Sequence, residues 1–254
     1  MKALGIIPAR FDSSRFPGKP LHEICGISMI QRVYQRAIKA NQLDGLTVAT
    51  DDERIYNHVK SFDGNVVMTS KNHQSGTDRC LEALDAYEKQ SHCKFDLVVN
   101  IQGDEPLIDP QNINVLVEKF NLNTIEIATL KRLISDNDEL FSPNVVKIIT
   151  DCNNKAICFS RNPLPYVAGM PQNEWITNQK FFKHIGIYAY RSAILQKITN
   201  LAVSNLEKCE KLEQLRWIEN GYAVHAYETL SDVYAVDVPE DVNKIEYLIN
   251  NNIV

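Results

Sequence analysis

Leu4-Gly5-Ile6-Ile7-Pro8-Ala9-Arg10-Phe11-Asp12-Ser13-Ser14-Arg15-Phe16-Pro17-Gly18-Lys19-Pro20 decides the fold. A short apolar run, Leu4 to Pro8, reads as a buried first strand. It gives way at once to a loop carrying Arg10, Arg15 and Lys19, three cations within ten residues, with two hydroxyls and Gly18 among them. In an open α/β sheet, ligands bind beyond the carboxyl ends of the strands. Cations gathered there suit a polyphosphate. Arginine offers a planar fork to phosphate oxygens and lysine a mobile point charge, and phosphoryl chemistry needs both to hold charge that develops in the transition state. Any one of these cations alone reads as a solvated loop residue. The loop has neither the G-x-x-x-x-G-K-[ST] nor the G-x-G-x-x-G spacing.

Outward from this loop, strand-like runs alternate with helix-periodic segments. Ile30, Val33, Tyr34, Ala37 and Ile38 repeat at helical spacing, and Leu46 to Ala49 follows as a second strand. Ile55, Val59 and Phe62 mark the next helix. Val66 to Thr69 is a third strand, Leu81, Leu84 and Tyr87 a third helix, and Leu97 to Gln102 a strongly apolar fourth strand before a helix from about Pro110 to Phe120. This order predicts an α/β fold, a mostly parallel Rossmann-like sheet with helices on both faces. Beyond about residue 125 strands crowd together: Ile127 to Leu130, Val145 to Thr150, Ala156 to Phe159 and Ile185 to Tyr190, with an irregular Pro-rich stretch from Asn162 to Gln179. One long helix is expected from a Ser204/Glu207 capping box to Gly221. A last strand, Tyr234 to Val238, leads into a C-terminal helix near Pro239. The chain thus reads as one domain with an inserted smaller subdomain: a core of about 1–130 and 222–254, and a subdomain of about 131–221.

Composition sets further bounds. The chain has 254 residues, 44% hydrophobic and 23% charged, with a formal net charge of -5. That acidic balance argues against a broad nucleic-acid footprint, so phosphate-binding cations must be concentrated locally. The N-terminal MKALGIIPAR is too short for a signal h-region, and no apolar run approaches the roughly 18 residues that span a membrane, which predicts a cytoplasmic protein. Six cysteines without a C-x-x-C pair predict free, mostly buried thiols rather than zinc ligands.

Two carboxylates stand at strand ends. Asp104 follows the fourth strand in VVNIQGDEP, and Asp237 ends the last in YAVDVPED. Magnesium takes one or two carboxylates and leaves its other positions to phosphate and water, so each is a candidate ligand; alone, each is also an ordinary turn or cap residue. Ser75, Gly76 and Thr77 supply hydroxyls and backbone N–H groups at a helix start, suited to polar or anionic groups or to plain capping. His184 and Tyr188 lie four apart on a strand and so share a face. Glu213 and Gln214, mid-helix among charges, read as a solvated face. There is no G-x-S-x-G elbow.

The string IPARFDSSRFPGKPL resembles the signature of the 3-deoxy-manno-octulosonate (Kdo) cytidylyltransferases, or CMP-Kdo synthetases. VATDDERI, VVMTSKNHQSGTDR, VVNIQGDEP, FSR, KHIGIYAYR and KCEKLEQLRW resemble further family blocks in family order, over nearly the whole chain. The resemblance implies a nucleotide-diphospho-sugar transferase type of fold. It implies transfer of CMP from CTP to the anomeric hydroxyl of Kdo, with release of pyrophosphate, for lipopolysaccharide biosynthesis. It implies Mg2+ held by Asp104 and Asp237 together, with Arg10 and Lys19 also catalytic. The nucleotide set it implies is Ala9, Arg10, Ser14, Arg15, Lys19, Ser75, Gly76 and Gln102. Arg161, His184, Tyr188, Glu213 and Gln214 are implied to contact the sugar, and the partner is a second copy of the chain. The usual family block is closer to VDTPED, so Val238 departs by one residue. Two alternatives stand beside this reading: the same chemistry on the 8-amino analogue of Kdo, and a catalytically inactive nucleotide-binding module. Tyr166 and Trp175 receive no role.

Overall fold

The structure, a computed structural model, describes residues 1–12, 15–73, 75–122 and 124–253. The chain divides into two compact units, one of Met1–Glu118, Ala189–Thr199 and Asp232–Val254, the other of Lys119–Tyr188 and Asn200–Ser231.

The first unit opens with β1 (Ala3–Ala9), a two-residue hairpin β2 (Glu23–Ile24) and β3 (Ile27–Ser28), and α1 (Met29–Ala37). β4 (Gly45–Thr50), α2 (Glu53–Ser61), β5 (Val66–Met68), α3 (Gly76–Ser91), β6 (Leu97–Asn100) and α4 (Pro110–Lys119) follow. The sheet order is β6-β1-β4-β5. Every pairing is parallel: Ile6 is opposite Thr47 and Asn100, and Ala49 is opposite Val67. The α/β class with a mostly parallel sheet is therefore as expected. Parallel strands covered on both faces need continuous apolar runs. Leu4, Ile6, Ile7, Leu97, Val98 and Val99 are accordingly all fully buried. Ile30 and Val33 of α1 and Ile55 and Val59 of α2 are buried as the periodicity requires.

The second unit contains β7 (Ile127–Leu133), α5 (Asn137–Phe141), β8 (Lys147–Thr150), β9 (Ala156–Ser160), α6 (Trp175–Asn178) and most of β10 (Phe182–Arg191). After α7 (Ser192–Ile198) of the first unit come α8 (Asn205–Glu210), α9 (Gln214–Glu219) and β11 (Val224–Glu228), and α10 (Asp241–Asn250) closes the first unit. β11 runs parallel to β7, whereas β8 is antiparallel to β9 and β10. The irregular stretch packs through Trp175, 3% exposed, which stacks on Phe181 and donates from Nε1 to the Met170 carbonyl at 3.0 Å. Trp175 thus serves a small core of Ile134, Leu140 and Phe181.

Three expectations are corrected. Tyr234 to Val238 forms no strand: the Val236 N–H donates to the Asp104 carbonyl and its own carbonyl accepts from Lys19, so a loop and a side chain take the groups that a ladder would use. The long helix breaks into α8 and α9 at Lys211, whose φ is 56°; Gly221, at φ 82°, ends the second piece as expected. Among the six thiols only Cys80 is buried, and Cys25, Cys152 and Cys209 are exposed. No helix among the described residues is long and apolar enough to cross a membrane.

Gly103 shows how closely the loop after β6 approaches β1. A Cβ there would lie 2.6 Å from the Pro8 carbonyl oxygen, a backbone atom that cannot yield. Gly103→Ala is expected to lower unfolding stability by about 2 kcal/mol or more, read as a shift of the urea midpoint at unchanged slope. A midpoint equal to the parent's would show that the two loops are free to separate.

Candidate active site

The three cations of the first loop are fixed by different means. Gly18, at φ 72°, turns the chain into a 3-10 turn at Lys19–Leu21, and its N–H donates to the Phe11 carbonyl at 2.8 Å. Lys19 Nζ donates to Asp104 Oδ2 at 2.8 Å and to the Val236 carbonyl at 2.7 Å. Arg15 donates to Asp237 Oδ1 at 2.8 Å. Arg10 reaches the His73 and Ser75 carbonyls at 2.5 and 3.4 Å, which ties the end of β1 to the start of α3. Burial and then the neighbouring Arg79 lower the Arg10 pKa from its ordinary value, so in this polar cleft it is a cation that gains from an anionic neighbour.

Apolar packing places these groups. Phe16, Leu107 and Val236 belong to one buried cluster with Ile24, Met29 and three residues of α10. Phe16 lies between Arg15 and Lys19, Leu107 follows Asp104, and Val236 precedes Asp237. Burying each contributes roughly 1.5–3 kcal/mol. The Arg15–Asp237 pair, with side chains 63% and 51% exposed, contributes only about 0–1 kcal/mol. The cluster holds the three segments and their charges ride on it.

The result is a cleft of about 360 Å3 lined by residues 8–10, Asp12, Arg15, Lys19, Pro20 and Gln102-Gly103-Asp104. Of the sequence-derived nucleotide set, Ala9, Arg10, Arg15, Lys19 and Gln102 line it, with Asp104. Ser75 and Gly76 lie beside it through Arg10 and Pro8: a Cβ on Gly76 would sit 3.7 Å from the Pro8 ring. Ser75 caps α3 in a reciprocal box with Asp78. Ser14 lies outside the described residues.

The fit of this site to a divalent metal follows from its donors. Asp104 and Asp237 supply hard carboxylate oxygens, and the Val236 N–H bond to the Asp104 carbonyl holds the two segments together. Burial and then the neighbouring Asp104 push Glu105 up to about 8, which makes it a poor metal ligand at neutral pH. Among the described residues there is no cluster of three or more His, Cys, Asp or Glu ligands. Two carboxylates beside the cations of this cleft suit magnesium, which commonly takes one or two carboxylates and completes its shell with phosphate and water; they do not suit a structural zinc.

The sugar-assigned residues all lie in the second unit. His184 and Tyr188 share one face of β10, ring centroids 5.2 Å apart, and Trp217 meets Tyr188 edge-on at 5.1 Å. Burial pushes His184 down to about 3, so it is neutral at physiological pH. Thr129 Oγ1 lies 3.0 Å from His184 Nε2 and 2.8 and 3.0 Å from the Ile187 and Ile185 carbonyls. A hydroxyl that donates to a carbonyl must accept from the ring, which assigns the proton to Nε2. Burial, and then the Glu213 charge, raise the Tyr188 phenol well above its ordinary value. Glu213 is therefore within electrostatic reach of this pair. Gln214 is 6% exposed, which corrects the solvated-face reading: it opens α9 and points inward with Leu215 and Trp217. Arg161, at the end of β9, is anchored by Glu210 and by the Pro143 carbonyl at 2.9 Å. Thr129 and Glu210 carried no sequence signal, because each acts through a partner distant in the chain.

The chain resembles known proteins along its whole length. The cytidylyltransferase family model matches residues 4–230. A 3-deoxy-manno-octulosonate cytidylyltransferase of Parabacteroides distasonis is 50% identical over 248 residues, 96% of each chain. Another of Fusobacterium nucleatum is 47% identical over 255 residues, 100% of this chain and 99% of that one. Among solved structures, a CMP:2-keto-3-deoxy-manno-octonic acid synthetase complexed with CTP superposes with a TM-score of 0.90 at 36% identity, covering 99% of this chain and 100% of that one. A putative glucose-1-phosphate thymidylyltransferase from Bacillus anthracis shares the fold, at a TM-score of 0.63 and 17% identity, over 97% of this chain and 94% of that one.

The state of His184 has a consequence for stability. Unfolding returns this ring to an ordinary pKa of 6.5, so the unfolded chain takes up a proton that the folded chain refuses until about 3. Its contribution to stability is complete above 6.5 and is lost progressively as pH falls from there toward about 3. A His184→Gln variant should show a shallower loss of stability with acid over that window in urea titrations. In the parent the ring should not titrate between about pH 5 and 8 by NMR. A ring titrating near its ordinary value would contradict the buried, neutral assignment.

Proposed function

The chain belongs to the 3-deoxy-manno-octulosonate cytidylyltransferases, and we propose from that premise that it transfers CMP from CTP to the anomeric hydroxyl of Kdo, with release of pyrophosphate, through the cleft at the end of β1. The observation that carries the reading is the convergence of Arg10, Arg15 and Lys19 with Asp104 on that cleft. A displacement at the α-phosphorus leaves negative charge on the departing pyrophosphate, and fixed cations stabilise it without reorganising at the moment of reaction.

Arg10 and Lys19 hold the triphosphate, and Arg15 and Gln102 line its path. The N-terminus of α3, with Ser75 and Gly76 beside the cleft, turns the positive end of its dipole toward the nucleotide. Arg161 meets the sugar carboxylate, and the neutral His184, the protonated Tyr188, Glu213 and Gln214 bind hydroxyls. Asp104 and Asp237 are the residues that would hold magnesium, which when bound supplies a Lewis acid and lowers the pKa of an oxygen near it. The names of the full-length relatives favour Kdo over its 8-amino analogue, and the intact cation and carboxylate set argues against an inactive module.

The reading extends to a cytoplasmic enzyme that works as a homodimer. Val203, Leu206 and Leu230 of the second unit, 49%, 48% and 89% exposed, give apolar surface that a second copy would cover.

Pyrophosphate release from CTP, with magnesium, tests the reaction on Kdo, its 8-amino analogue and N-acetylneuraminate. Release with Kdo is expected. Asp104→Asn and Asp237→Asn should fold and lose turnover on the order of a hundredfold or more, as a loss of several kcal/mol of transition-state stabilisation implies. Full activity in both variants would remove the carboxylates from the mechanism; release with the amino sugar alone would reassign the acceptor.

A further inference from the structure

Glu210 is the last residue of α8, and its contacts converge on the end of β9. One carboxylate oxygen accepts from Ser160 Oγ at 2.7 Å, the other from the Arg161 backbone N–H at 3.0 Å. Its main-chain carbonyl accepts from Arg161 Nε at 2.8 Å. Nη1 of Arg161 donates to the Pro143 carbonyl at 2.9 Å, and Nη2 has no protein partner among the described residues. The guanidinium is thus oriented by two neutral carbonyls. The carboxylate engages a hydroxyl and the backbone instead.

The charge balance follows from that division of labour. Lys147 lies fully buried nearby, its Nζ donating to the Ser142 and Val145 carbonyls at 2.8 and 2.6 Å. Its pKa is lowered by burial and then by Arg161, and raised by Glu210, so all three charges feel one another. Two cations and one carboxylate leave a net positive site. A carboxylate paired directly to the guanidinium would have spent the charge that an acidic ligand needs. Placed on the backbone, Glu210 aims Arg161 without neutralising it.

We propose that Glu210 is a positioning residue for the acidic sugar: it fixes the Ser160-Arg161 segment so that Arg161 Nη2 is presented to the sugar carboxylate. The proposal rests on the reading of Arg161 as the carboxylate contact. The break at Lys211 belongs to the same device. The left-handed residue ends α8 there, with its own N–H on the Glu207 carbonyl at 2.7 Å, and so frees the Glu210 carbonyl for Arg161 instead of a following helical turn.

Steady-state kinetics of the full chain with CTP, magnesium and Kdo test this. Glu210→Ala should raise KM for Kdo about tenfold or more while KM for CTP stays within about twofold, because a displaced binding group costs affinity for its own ligand alone. Glu210→Gln keeps an acceptor on the segment and should restore most of the loss. Arg161→Ala should raise KM for Kdo by itself, and Glu210→Ala added to it should bring little more, since both remove one interaction. Equal rises in both KM values, or full additivity in the double variant, would overturn the positioning role. An Arg161→Ala variant with normal KM for Kdo would overturn the carboxylate contact, and the proposal with it. If Glu210→Ala does not fold, Ser160→Ala and Glu210→Gln carry the same comparison: unchanged KM for Kdo in the first, with a rise in KM for CTP in the second, would sink the idea.

Discussion

Lys19 joins three stretches that are far apart in sequence. Its ammonium holds the Asp104 carboxylate and the Val236 carbonyl, and its side chain is only 13% exposed. A lysine this enclosed must be paired, since an unpartnered charge at such a position costs several kcal/mol. The bond is possible because the layer beneath is already built: Phe16, Leu107 and Val236 pack together with α10. Hydrophobic burial sets where the loops lie, and the charged residues between the buried ones have no choice but to meet. The order of magnitudes matters for function. Strong packing under weak, exposed pairs such as Arg15–Asp237 makes the frame rigid while leaving its cations able to exchange partners at little cost.

Close approach is the second requirement of this frame. Gly103 lets the loop after β6 lie against the Pro8 carbonyl, and Gly18 lets the first loop double back over Phe11. Each glycine serves geometry that a side chain would forbid, and both sit beside the cations and carboxylates they bring together. Arg79 does comparable work further along the strand ends. It is fully buried and bonds Asp51 at 2.6 Å after β4 and Thr69 after β5, so the carboxyl edge of the sheet is tied by a charge as well as by its ladder.

Much of this frame was legible in the sequence, because the sheet of the first unit is written in continuous apolar runs and its helices in 3.6-residue repeats. The cap at Ser75, the capping box at Ser204 and the stop at Gly221 follow from local chemistry that needs no distant partner. What could not be read depends on distant contacts. Tyr234 to Val238 has the β-branched, aromatic look of a strand, yet its backbone is claimed by Asp104 and Lys19. Glu213 and Gln214 sit among charges that suggest solvent, yet Gln214 is buried. Its neighbour Arg216, 9% exposed, spends its guanidinium on Glu207 through two bonds of 2.6 and 2.7 Å. A charge count along one helix cannot distinguish a solvated ion from a buried pair.

Lys211 joins these observations into one argument. Residues with a Cβ pay roughly 1–2 kcal/mol in the left-handed region, and nothing in a lysine announces that it will go there. The cost is offset on both sides of the break: the Glu210 carbonyl and carboxylate bind Ser160 and Arg161 before it, and Arg216 binds Glu207 across it. A continuous helix would satisfy local propensity, but it would commit the Glu210 carbonyl to its own ladder and take it away from Arg161. Departures from local rules that the surroundings sustain tend to mark functional sites. Here the departure separates Glu210, whose carboxylate and carbonyl bind the end of β9, from Glu213 and Gln214, which open the next helix. A single left-handed residue therefore ends the helix that carries Glu210 and lets a second one open at Gln214.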